Sequence, residues 1–225
     1  MGIDLVSLVS SLVVLLVSLS VHESAHAWTA DRLGDPTARH LGRISINPLV
    51  HADFFGTFLF PLMGFMFGGI IFGWAKPVPV NTARLNNPKR DYMLVAAAGP
   101  VANLLMAGGL LLVLGFMKST SASMELLLNQ VVRGVASGDG ILVLLLSMAY
   151  FGVMINLILA IFNMIPVAPL DGAAVLSGLL PQSLSQTYDA LQRYGFIILI
   201  ALLYLGIPGY LFSPVIGFVQ SFLVF

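Results

Sequence analysis

Five apolar stretches of this chain approach or exceed the roughly 20 residues that a helix needs to cross a bilayer. They cover about residues 3–33, 54–75, 92–117, 141–165 and 194–212, and an apolar tail to Phe225 reads as a short extra helix. A chain of this kind satisfies its backbone in lipid only by folding as helices or as a closed barrel. Stretches of this length are helical. Composition agrees: of 225 residues, 58% are hydrophobic and 9% charged, against about a quarter charged in an ordinary soluble domain. The expected fold is an all-α polytopic membrane protein with about five to six transmembrane helices, forming one domain over residues 1–225. The first stretch has no basic residue ahead of it and no small-residue cleavage pattern. It reads as a retained helix rather than a signal peptide.

Balanced charge, ten basic against ten acidic residues, offers no surface for nucleic acid. The absence of cysteine excludes disulfides and thiolate metal sites. Loop charges suggest an orientation. Arg32, Arg39 and Arg43 follow the first stretch, and Lys76, Arg84, Lys89 and Arg90 precede the third. Both loops therefore favour the cytoplasmic side. The second stretch, broken by Gly56, Pro61, Gly64, Gly68, Gly69 and Gly73, would then enter and leave on the same side as a re-entrant segment. The alternative is an ordinary span with one loop against the charge bias. Pro77 and Pro79 forbid a helix interior over residues 76–82. With Val78 and Val80 they read as an extended, β-like edge able to pair with another extended chain, or as a stiff loop.

The chemistry concentrates in His22-Glu23-Ser24-Ala25-His26, inside the first stretch. Histidines at i and i+4 leave one face of a helix and can hold one zinc ion. The adjacent glutamate is placed to act as general base on a metal-activated water. Ionisable residues inside a span are costly and mark function. Polar residues snorkelling to the interface explain one such group better than three at metal spacing. His40, His51, Asp53 and Asp171 are the candidates for a third ligand. Asp171 stands out because it follows Pro166 and Pro169, which break the backbone at the end of a span; it can also serve as a helix N-cap. Gly99 and Asn103 lie within the third stretch, where they permit close helix packing and interhelical hydrogen bonding or contact a substrate.

HESAH, then GPVAN at 99–103, then NMIPVAPLDG at 163–172 together resemble the site-2 protease family of intramembrane zinc metalloproteases. GDPTARHLGRISINPLVHADFFGT and GWAKPVPVN look like its compact prokaryotic branch. The resemblance covers roughly residues 20–180. It implies a three-helix catalytic core, one zinc per chain on His22, His26 and Asp171, and Glu23 as general base. It places Asn103 and Asn163 near the active site or the substrate path. It implies a multi-pass protein of the cell membrane whose site lies towards the cytoplasm. The short, largely apolar interval after Asn103 has no room for the PDZ domains of longer members. His51 matches a family pattern without a defined role.

The expected activity is hydrolysis of peptide bonds in or near transmembrane segments of other membrane proteins, as in regulated intramembrane proteolysis. The partners are then the bilayer and a transmembrane protein substrate. The alternative is a membrane metal-binding protein or metal transporter, which would need no Glu23 beside the first ligand. Transporters often carry inverted repeats, and the sequence shows none.

Overall fold

The structure, a computed structural model, describes residues 5–66, 74–136 and 140–224. The uninterrupted apolar run at the N-terminus forms α1 (Leu5–Arg32), which ends at Gly34, where φ is +111°. Only glycine takes that conformation cheaply. Short turns α2 (Thr37–His40) and α3 (Pro48–His51) follow, then a π-helical turn over Phe54–Leu59 and α4 (Phe60–Met66). An open segment leads to a tight helical turn at Thr82–Arg84. α5 (Pro88–Lys118) begins with proline in its first turn and with the Asp91 carboxylate accepting the Asn87 amide at 2.7 Å, two standard start signals. α6 (Ala122–Val132), α7 (Ile141–Asn163), α8 (Asp171–Leu179), α9 (Gln182–Leu191), α10 (Gly195–Tyr204) and α11 (Ile207–Val224) complete the chain.

Among the described residues the fold is helical throughout, and α1, α5, α7 and α11 are long and apolar enough to cross a membrane. Polarity is inverted relative to a water-soluble bundle. Leu105, Leu112 and Phe116 of α5 face outward, whereas Ser18, His22, His26, Asn103 and Asn156 are buried. That pattern suits a lipid surround, where polar groups must find partners inside the protein.

Two expectations change. The fifth apolar stretch is not one helix over 194–212: Gly206, at φ +70°, separates α10 from α11. The span-length helix there is α11, where a short tail helix was expected, and Pro208 sits in its first turn, where the missing amide costs nothing. The loop after α5 contains α6, capped by the Ser121 hydroxyl, which accepts the Met124 amide at 3.2 Å. The segment before Thr82 forms no β-ladder; among the described residues there is no strand.

The second apolar stretch falls partly on residues 67–73, outside the described residues. Its two ends lie together. Trp74 N–H donates to Gly56 O at 3.0 Å, Lys76 N–H to His51 O at 2.8 Å, and the Thr57 hydroxyl to Trp74 O at 3.0 Å.

Two regions of packing organise the bundle. Leu114, Leu128, Val131, Leu146, Val153, Val219 and Leu223 form a fully apolar core joining α5, α6, α7 and α11. Elsewhere α5 packs against α1, α7 and α8, and this second region carries the polar residues.

Candidate active site

α1 brings His22 and His26 one turn apart onto its buried face, against α5. Their Nε2 atoms lie 3.0 Å from each other. Asp171, the first residue of α8, reaches the same point: its Oδ2 is 3.2 Å from His22 Nε2 and 3.4 Å from His26 Nε2. Asp171 does not cap α8, whose N-cap is Leu170 with no side-chain cap, so the carboxylate is free for the site.

The turn between α7 and α8 sets that position. It contains a cis Ala168–Pro169 bond. Tyr188 Oη donates to Pro166 O at 2.7 Å, and Gln192 Oε1 accepts the Ala168 amide at 2.6 Å. A Cβ on Gly172 would collide with the Met164 and Ile165 carbonyls, so only glycine lets α8 start this close to the end of α7. Lys89 Nζ donates to Leu180 O at 2.6 Å and ties the far end of α8 to α5.

Each imidazole is held through its other nitrogen. His26 Nδ1 lies 2.7 Å from Val95 O, and His22 Nδ1 lies 2.6 Å from Asn103 Oδ1. Both partners accept, so each Nδ1 carries a proton, and in the neutral ring each Nε2 presents a lone pair. Asp171 Oδ2 is buried and accepts no hydrogen bond. With both rings neutral, three lone-pair atoms converge, an arrangement that a cation would satisfy. Donors about 2.0–2.1 Å from a tetrahedral zinc stand roughly 3.3 Å apart, and the observed separations of 3.0, 3.2 and 3.4 Å match. The residues therefore fit zinc.

Gly99 explains how α5 comes so close. A Cβ there would lie 2.5 Å from His22 Cε1 and from His26 Nε2. The glycine and asparagine of GPVAN thus serve one purpose at two positions, one making room for the imidazoles and the other aligning His22.

Glu23 is half-buried beside the first ligand. Its Oε2 accepts the main-chain amide of Val78 at 2.9 Å, which lays the Pro77–Val78–Pro79–Val80 segment over the glutamate. Val80 packs on the cluster of Ala30, Leu85 and Val95.

The other predicted residues lie elsewhere. His40 is exposed, and Asp53 Oδ1 accepts the Gly56 amide at 2.8 Å. His51 is buried, its Nε2 2.8 Å from Ser45 O, and its carbonyl holds Lys76. Among the described residues only His22, His26 and Asp171 are grouped so that they could hold a metal ion. Asn163 Nδ2 bonds Leu159 O at 2.9 Å, one turn back on its own helix. Asn156 and Ser18, buried behind Asn103, were not anticipated. A polar amide in the middle of an apolar span was the signal for Asn156; Ser18, four residues before His22, left none distinct from an ordinary helix serine.

The family model described as Peptidase family M50 matches residues 10–204. A Bacillus subtilis (strain 168) protein named "Putative zinc metalloprotease YwhC" is 36% identical over 207 residues, covering 91% of this chain and 84% of that protein. A Mycolicibacterium smegmatis protein named "Putative zinc metalloprotease Rip2" is 28% identical over 188 residues, 84% of this chain and 64% of the relative. No solved structure matches. A match spanning most of the chain, four apolar helices of membrane-crossing length and a His–His–Asp cluster converge on one conclusion: the chain belongs to peptidase family M50, the site-2 protease family of membrane zinc metalloproteases.

Proposed function

We propose that this protein is an intramembrane zinc metalloendopeptidase. It cleaves other membrane proteins within or near their transmembrane segments, the chemistry of regulated intramembrane proteolysis. The observation that carries the reading is the convergence of His22 Nε2, His26 Nε2 and Asp171 Oδ2 inside a bundle of apolar helices. These three atoms would hold one zinc per chain, a ligand set of the kind found in catalytic sites. Zinc, when bound, acidifies a water and polarises the scissile carbonyl. Glu23 takes the proton of the attacking water and returns it to the leaving amine.

A helical substrate hides its carbonyls in its own hydrogen bonds and must unwind before attack. The segment 76–82 receives the unwound strand by backbone pairing; its prolines keep it extended, and its amide at Val78 reaches Glu23, which supports this placement. The basic loops around the second apolar stretch favour a site facing the cytoplasm. The hydrogen bonds that join Gly56 to Trp74 and His51 to Lys76 support a re-entrant rather than a spanning course for that stretch.

A metal transporter would keep its ligands without needing Glu23. Glu23→Gln separates the two. In purified protein the variant is expected to retain zinc and to lose cleavage of a membrane substrate by about 100-fold or more. In cells, transmembrane fragments consumed by the wild type should accumulate. Normal cleavage by Glu23→Gln would sink the proposal.

A further inference from the structure

Behind the imidazole of His22 lies a polar chain that crosses three helices. Asn103 Oδ1 of α5 faces His22 Nδ1 at 2.6 Å, and Asn103 Nδ2 reaches Asn156 Oδ1 of α7 at 2.7 Å and Ser18 O of α1 at 3.3 Å. Asn156 Nδ2 reaches Gly152 O at 2.8 Å and Ser18 Oγ at 2.9 Å; the Ser18 hydroxyl donates to Val14 O at 2.8 Å. Ser18, Asn103 and Asn156 are at most 1% exposed. Water therefore does not compete for these groups, and every contact must match a donor with an acceptor.

The direction of the chain is set by groups that can only accept. The Gly152 carbonyl cannot donate, so the amide nitrogen of Asn156 must face it. That turns Asn156 Oδ1 towards Asn103, whose facing atom must be a donor. The Ser18 carbonyl demands the same of Asn103. Asn103 Oδ1 is then left for His22, and Nδ1 must carry the proton. Rotating either amide would set acceptor against acceptor in a buried site, at the full cost of unsatisfied groups.

We propose that Asn156 and Ser18 are positioning residues of the metal centre: acting through Asn103, they lock the proton of His22 on Nδ1 and hold Nε2 free as a metal ligand. The inference rests on the reading of His22, His26 and Asp171 as a metal site. Neither Asn156 nor Ser18 touches the ligand-binding point; their action passes through the amide of Asn103. The same chain fastens α1, α5 and α7 at the level of the site, so helix packing and ligand orientation depend on one another.

The test uses full-length protein purified in detergent. Zinc affinity is measured by competition with a chromophoric chelator, and the His22 tautomer by nitrogen NMR of metal-free, histidine-labelled protein. Asn156→Leu keeps the branched shape, at a somewhat larger volume, but removes both the acceptor and the donor. It is expected to lower zinc affinity by about tenfold or more, the usual effect of losing an outer partner of a ligand, and to weaken the preference for the Nδ1–H tautomer, which the longer 3.3 Å contact of Asn103 Nδ2 to Ser18 O then holds alone. Ser18→Ala leaves the Gly152 carbonyl in place and should produce a smaller loss. Ser18→Thr, which keeps the hydroxyl, should restore affinity. This pair tests the inference even where Asn156→Leu fails to fold. Wild-type affinity and a single tautomer in Ser18→Ala, or in Asn156→Leu where it folds, would overturn it. A wild-type protein that binds no zinc would instead sink the metal-site reading beneath it.

Discussion

The main-chain amide of Val78 donates to Oε2 of Glu23 at 2.9 Å, joining positions 55 residues apart. The two belong to the sequence features that were hardest to connect. One is the glutamate of a metal motif inside an apolar helix, and the other is the centre of a proline-braced extended segment. Because Pro77 and Pro79 have no amide, Val78 provides the one N–H across this tripeptide.

Replacing Val78 by proline should therefore remove the contact while preserving an extended backbone. A hydrogen bond to a charged group contributes about 1.5–3 kcal/mol, so cleavage is expected to fall roughly 10- to 100-fold. Zinc content should stay at the wild-type level, because Val78 bonds no ligand. Unchanged cleavage by Val78→Pro would show that the segment does not align Glu23.

Gly99→Ala places a methyl group 2.5 Å from His22 Cε1 and His26 Nε2. Neither ring can retreat without leaving Asn103 or Val95. Zinc affinity should drop about 10- to 100-fold, as when a partner of a ligand is lost, with helicity retained. Gly108→Ala, on the same helix with open space around it, should bind zinc normally. If both variants bind zinc equally well, close approach of α5 is not what shapes the site.

The loop that carries Val78 is anchored at Asp35. This side chain is fully buried just beyond the end of α1. Its Oδ2 accepts the Asn81 amide at 2.6 Å, and its Oδ1 accepts the amide and hydroxyl of Thr37. Burial alone would raise its pKa, but these bonds, with Arg84 nearby, outweigh it and hold the carboxyl below its ordinary value. A lowered folded pKa contributes stability that is complete above about pH 4 and is lost as pH falls through the folded value. Protease sensitivity of residues 76–85 should therefore rise as the pH drops below about 4. Asp35→Asn sets an amide NH₂ against a backbone N–H. It should weaken docking of this loop by about 1–3 kcal/mol at neutral pH and abolish the acid step. Equal protease resistance in variant and wild type would remove Asp35 as the anchor.

Local rules carried far along this chain. The lengths of the apolar runs predicted α1, α5 and α7 closely, because a helix in lipid has few alternatives. They failed at 194–212, where apolarity continues unchanged and one left-handed glycine, Gly206, decides where one helix ends and the next begins. The spacing of His22 and His26 was sufficient to predict that the two rings meet, since one turn of helix brings both to one face.

What spacing alone left open was everything that depends on a second helix. Asp171 is distant in sequence from His22, and its selection over His40, His51 and Asp53 rests on how the α7–α8 turn packs, a matter of Gly172, Tyr188 and Gln192. The proton on His22 is decided further away still, by carbonyl groups of Gly152 and Ser18 whose direction no sequence pattern records. Sequence by itself determined that α1, α5 and α7 exist and that α1 presents His22 and His26 on one face, because both follow from local periodicity and solvent. Tertiary structure showed that Asp171 Oδ2 reaches both histidines, and decided which glycine gives the imidazoles room and which amide meets Glu23. Those are relations between surfaces that touch only once the helices have packed.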